Sequence, residues 1–119
     1  MSKEKLHLDD KFGELVLQRE SLSTTYFGNG VGIPHPLHPI TEDTFVAVAL
    51  LDNALEWNEE HTVNIVMLIS TETGNPKAFQ IWKYISELTG NKEAIEKISR
   101  EKTYENFISV LKETLDKIF

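Results

Sequence analysis

Thirteen residues, Phe27-Gly28-Asn29-Gly30-Val31-Gly32-Ile33-Pro34-His35-Pro36-Leu37-His38-Pro39, hold two imidazoles, three glycines and three prolines. Histidine changes charge most readily near neutral pH, and its neutral ring is a nucleophile. Pro34 and Pro36 fix φ and restrict the residues before them, so His35 is presented on a stiffened backbone. The glycines let the chain turn tightly and bring N–H groups close to whatever His35 holds. This combination points to transfer of a small anionic group through His35. The competing reading is a satisfied loop histidine beside a proline turn.

Arg19 lies upstream, at the end of a helical pattern that leads directly into the His35 loop. A guanidinium fork matches phosphate oxygens. Its bland alternative is a side chain snorkelling to the edge of the core. Thr24 and Thr25 offer hydroxyl donors to the same anion, or simply end the helix in a turn. His38 is an accessory candidate whose plain reading is an exposed loop histidine. His7 and His61 merit no role.

Other chemistries fit poorly. A helical pair His35-x-x-His38 is prevented by Pro36 and Pro39, the chain has no cysteine, and Glu42 and Asp43 are the nearest carboxylates. No metal is expected. The glycines are not followed by Gly-Lys-Ser/Thr and do not open a helix, so no nucleotide cofactor is expected. Gly-x-Ser-x-Gly is absent, which excludes a serine-hydrolase elbow of that kind.

The 119 residues suit one domain, 1–119. A net charge of -7 argues against direct nucleic-acid contact, because phosphate backbones attract Lys/Arg surfaces. No apolar run approaches the ~20 residues of a membrane helix, and the N-terminus lacks a signal-peptide apolar segment. The absence of cysteine fits a reducing cytosol, so a cytoplasmic location is expected.

The elements that must position these residues follow from periodicity. Leu8, Phe12, Leu15, Arg19 and Leu22 share one face of a helix from about Asp9 to Leu22, with Asp9 or Asp10 as cap. Tyr26 to Ile33 reads as a short strand or loop. Thr44–Leu51 and Val63–Ile69 are apolar, β-branched runs that suit strands covered on both faces. Asp52–Asn58 between them reads as a loop, with Leu55 and Trp57 packed onto the body. After Pro76 the pattern turns helical, with Phe79, Trp82, Tyr84, Ile85 and Leu88 on one face and Gly90 as C-cap. Asn91 caps a helix carrying Ala94, Ile95 and Ile98. Thr103 caps a last one carrying Phe107, Ile108, Leu111, Leu115 and Ile118. Helix, strands and three helices indicate an α/β sandwich with helices on the sheet faces.

Glu20, Phe27, Gly28, Val31, Gly32, Ile33, Pro34 and His35 stand at the spacing of a known pattern: an acidic or amide residue, six residues, an apolar one, Gly, two more, then apolar-Ala-apolar-Pro-His. In this the chain, from about Phe12 to its end, resembles enzyme IIA domains of the mannitol/fructose class in the bacterial sugar phosphotransferase system. The Phe-Gly-Asn-Gly-Val-x-Ile-Pro-His-Pro variant is most similar to the enzyme IIA-like domain at the C-terminus of phosphotransferase-regulated transcriptional antiterminators and activators. The resemblance implies a mixed β-sheet flanked by helices. It implies that His35 accepts a phosphoryl group from phospho-HPr or a cognate enzyme IIB, and that Arg19 lies beside it, with Thr24 and Thr25 where the family has Ser-Thr. Neighbouring domains of a parent regulator are then partners; a working enzyme IIA serving a sugar transporter is the alternative. No cofactor is implied, because the group arrives already activated.

Gly32 stands where the family has Ala, and Pro36 where it has a small residue. The family's second active-site histidine has no counterpart: Ala78 falls there, beside Phe79 and Gln80. Enzyme IIA domains carry more chain ahead of the first helix, which implies an N-terminally truncated domain.

Overall fold

The computed structural model describes residues 10–41, 43–72, 74, 76 and 78–118. Leu8, Asp9, His7 and Glu42 lie outside them. The elements run α1 (Asp10–Leu22), β1 (Tyr26–Gly28), β2 (Val31–Gly32), β3 (Phe45–Glu56), β4 (Thr62–Ser70), α2 (Ala78–Thr89), α3 (Lys92–Arg100) and α4 (Tyr104–Ile118). The sheet order is β1-β2-β4-β3, with β2 parallel to β4 and the other two pairings antiparallel. The sheet is mixed and carries helices on both faces, as expected.

Side-chain alternation along β4 divides those faces. Val63, Ile65, Met67 and Ile69 are buried and join Ile85 and Leu88 of α2, Ile95 and Ile98 of α3, and Phe107 and Val110 of α4 in one core. Phe45 pairs across the sheet with Ser70 and so belongs to the opposite face, where its ring lies 6.1 Å from Phe12 of α1. On α1, Phe12 and Leu15 are buried as the periodicity requires. Leu22 is not: it stands 70% exposed in the last turn, just before the chain leaves the helix at Ser23.

Three further expectations are corrected. Strand β3 does not stop at Leu51 but continues to Glu56, so Asp52–Glu56 is extended chain rather than loop. Register passes from Leu50↔Ile65 to Leu55↔Val63, which places a bulge between them. Lys102, from the α3–α4 connection, donates to the Leu51 carbonyl oxygen at 2.7 Å and so satisfies a backbone acceptor at the bulge. Nor is β3 covered on both faces. It is the outer strand, and its far half is solvent-exposed, Leu55 included. On α2, Phe79 and Tyr84 point outward although Trp82, Ile85 and Leu88 pack inward.

The two helix caps expected downstream are formed. Asn91 Oδ1 accepts from Ala94 N–H at 3.0 Å, and Thr103 Oγ1 accepts from Asn106 N–H at 3.1 Å.

Candidate active site around His35

The β1–β2 hairpin turns through Gly28, Asn29 and Gly30 with φ of 94°, 51° and 76°. Two of the three positions are therefore glycine for a backbone reason. The hairpin returns the chain beside β4, and three hydrogen bonds then fix the stretch around His35. Ile33 N–H donates to Thr25 O at 2.9 Å, Ile69 N–H to Pro34 O at 3.1 Å, and Leu37 N–H to Leu15 O at 3.0 Å. These tie the His35 segment to the residue just before β1, to β4 and to α1 in turn. The imidazole thus emerges just past the end of β2 on a backbone held from three sides.

Gly32 has a separate reason for lacking a side chain. A Cβ there would meet the Trp57 indole at 2.9 Å. The departure from the resemblance's Ala is matched by an aromatic ring that occupies the methyl's place.

His35 Nδ1 lies 2.9 Å from Ile33 O. Only a donor satisfies a carbonyl oxygen, so Nδ1 carries the proton and Nε2 keeps its lone pair. Burial pushes the ring's pKa below its ordinary 6.5, against the Ile33 hydrogen bond, which raises it; the Arg19 charge adds to the lowering and the Glu20 carboxylate opposes it. The net effect favours the neutral ring.

His35 opens onto a cleft of about 210 Å³ bounded by residues 36–39, residues 69–71 and Trp82. Trp82 stands nearly perpendicular to the imidazole, at 74°, with the ring centroids 4.7 Å apart. Phe27 stacks on Trp82 in turn, at 6.0 Å.

Arg19 and Glu20 stand in the last turn of α1. The Arg19 guanidinium donates through Nη1 to Ser23 O at 2.9 Å, which anchors one nitrogen and leaves the remaining N–H groups of the fork. Its charge is felt at His35. Glu20 latches the turn after α1: its carboxylate accepts from Thr25 N–H at 3.2 Å and from the Thr25 hydroxyl. Thr25 is buried and engaged by Glu20, while exposed Thr24 accepts from Asn58 Nδ2 at 3.1 Å.

His38 lines the same cleft but is exposed, with Nδ1 3.2 Å from Pro39 O. His61 stacks on Tyr26 at 4.1 Å and bonds Asn58, away from this cleft. Among the described residues, no three His, Cys, Asp or Glu side chains converge as a metal-ligand set. No helix among them is long and apolar enough to cross a membrane.

Residues 1–114 match the family model of the phosphoenolpyruvate-dependent sugar phosphotransferase system, EIIA 2. The chain belongs to this family. Among curated proteins, the EIIA chain is 32% identical over 103 residues to the probable licABCH operon regulator of Bacillus subtilis (strain 168), covering 86% of this chain and 16% of that protein. To the transcriptional regulator ManR of the same organism it is 27% identical over 108 residues, covering 91% and 17%. It therefore spans under a fifth of the length of these two regulators. The fold also matches mannitol enzyme IIA of Escherichia coli, solved in complex with phosphorylated mannitol enzyme IIB, with a TM-score of 0.69, 17% identity, and coverage of 87% and 74%.

Sequence reasoning missed two residues of the candidate site. Trp82 reads as one more apolar position on a helix face, and only its approach to His35 reveals a wall of the cleft. Glu20 appears in the sequence as a motif position without a task; its carboxylate proves to hold the Thr24–Thr25 turn. Ala78 opens α2 one turn ahead of Trp82.

Proposed function

We propose that this EIIA domain accepts a phosphoryl group on His35 Nε2 and serves as the phosphorylation-sensing module of a sugar-operon regulator. The single observation that carries the acceptor role is the Nδ1–H hydrogen bond to Ile33, which leaves Nε2 unprotonated at the edge of an open cleft. In the transfer, the Nε2 lone pair attacks phosphorus in line with the bond to the donor imidazole; the new P–N bond forms as the old one breaks. The Arg19 guanidinium and the loop amides stabilise charge spread over the equatorial oxygens. Neither a metal nor a nucleotide takes part.

The donor is phospho-HPr or a phosphorylated enzyme IIB, and the setting is cytoplasmic. The similarity to two transcriptional regulators supports the regulatory reading. In such a setting the added charge on His35 alters contacts with neighbouring domains of the parent protein. The whole chain acts as one module. His38, Thr24 and Thr25 have supporting roles at most. A second reading, a working enzyme IIA that hands the group to an enzyme IIB cysteine, is favoured by the structural neighbour captured with phosphorylated enzyme IIB.

Incubation with enzyme I, HPr and phosphoenolpyruvate tests the acceptor role. One acid-labile phosphoryl group is expected, lost in His35→Ala. Labelling that survives in His35→Ala and disappears in His38→Ala overturns the assignment. Onward transfer to an enzyme IIB at a rate matching sugar uptake selects the second reading.

A further inference from the structure

We propose that Trp82, braced by Phe27, is a shelf that shields a phosphoryl group on His35 from water and so prolongs the life of the phosphohistidine. The inference rests on the acceptor role of His35 proposed above. Trp82 meets the His35 ring almost edge-on at a centroid distance of 4.7 Å, and Phe27 from the β1–β2 hairpin stacks on the indole at 6.0 Å. The indole, carried on α2, therefore packs against the hairpin as well as against His35. His35 is equally fixed, because rotating its ring breaks the Nδ1–H bond to Ile33. A group on Nε2 thus sits at a defined place in the cleft, with an indole along one flank.

Loss of the group to solvent requires a water oxygen to reach phosphorus. The O–P bond forms, the P–Nε2 bond breaks with its electron pair returning to Nε2, and both water protons leave on the released phosphate. An indole wall excludes water from part of that approach and offers no base to activate it. The neighbouring walls support this. Pro36, Leu37 and Ile69 carry no titratable group, and the Ser70 hydroxyl is paired with Thr41 at 2.7 Å. Ala78, one turn ahead of Trp82, supplies no ring that shuttles protons. The side chains with exchangeable protons that remain in the cleft lining beside His35 are the Thr71 hydroxyl, which is no base at neutral pH, and exposed His38. The pocket is better built to hold a phosphoryl group than to shed it, which suits a sensor.

The test measures the half-life of the phosphorylated domain after removal of the donor, in wild type, Trp82→Ala, Trp82→Phe, Phe27→Ala and Phe79→Ala. Label is introduced both by phospho-HPr and by phosphoramidate, and is assigned to His35 by its loss in His35→Ala. Trp82→Ala is expected to shorten the half-life about fivefold or more, releasing inorganic phosphate, with Phe27→Ala intermediate and Trp82→Phe close to wild type. Phe79, exposed on the same helix and outside the cleft lining, is expected to change nothing on substitution. An unchanged half-life in Trp82→Ala overturns the shelf, as does an equal shortening in Phe79→Ala. Labelling of His35 by phosphoramidate but not by phospho-HPr sinks the HPr-acceptor reading while leaving the shelf tested; no labelling of His35 by either donor overturns both.

Discussion

The side chain of His35 is bonded to the carbonyl of Ile33, two residues back along its own backbone, at 2.9 Å. One short local contact therefore chooses the tautomer, orients the ring and decides which nitrogen is free. Because Pro34 lies between them and its carbonyl is bound by Ile69, the acceptor cannot drift away from the ring.

The depressed pKa of His35 has a thermodynamic consequence. Its folded value lies below the ordinary 6.5, so the unfolded chain binds more protons in the interval between the two. Stability contributed by the neutral ring is complete above the unfolded value and is lost as pH falls through the folded one. Denaturation midpoints measured between about pH 7.5 and 5 are expected to fall more steeply in wild type than in His35→Gln. Equal slopes refute the shift.

Arg19 donates through Nη1 to Ser23 O at the helix end. Arg19→Ala is expected to slow phosphoryl transfer at least about tenfold while changing stability by less than about 1 kcal/mol. Transfer at the wild-type rate returns the side chain to an edge role.

Glu20 acts on the same turn by a different route. Glu20→Ala leaves the buried Thr25 hydroxyl and amide without their acceptor, and is expected to cost about 1–3 kcal/mol in chemical denaturation. Glu20→Gln, which keeps an oxygen, should recover part of that loss.

A methyl at residue 32 collides with Trp57. Gly32→Ala is expected to destabilise by about 1–3 kcal/mol, and the double variant with Trp57→Leu to recover most of it. Simple additivity in that cycle counts against the contact.

The placement of these residues was only partly legible in the sequence. Helices and caps were readable because a cap such as Asn91 acts within three residues. The extension of β3 through Asp52–Glu56 was not, since small and polar residues there are weak strand formers. What holds the bulge is Lys102, fifty-one positions away in the chain. The exposure of Leu22 escaped periodicity for a related reason: a helical stripe records which face is apolar, not how far along the helix its partner surface extends. Similarly, the spacing of His35 and its prolines announced a presented imidazole, whereas the Trp82 wall depends on how α2 docks against the β1–β2 hairpin.

The outer half of β3 carries one more implication. Its outer edge carries Asp52 and Glu56, both exposed, with Lys102 3.9 Å from Asp52. A second copy that tried to zip onto this border would bring carboxylates against carboxylates. This charged, bulged border therefore disfavours edge-to-edge pairing of two copies.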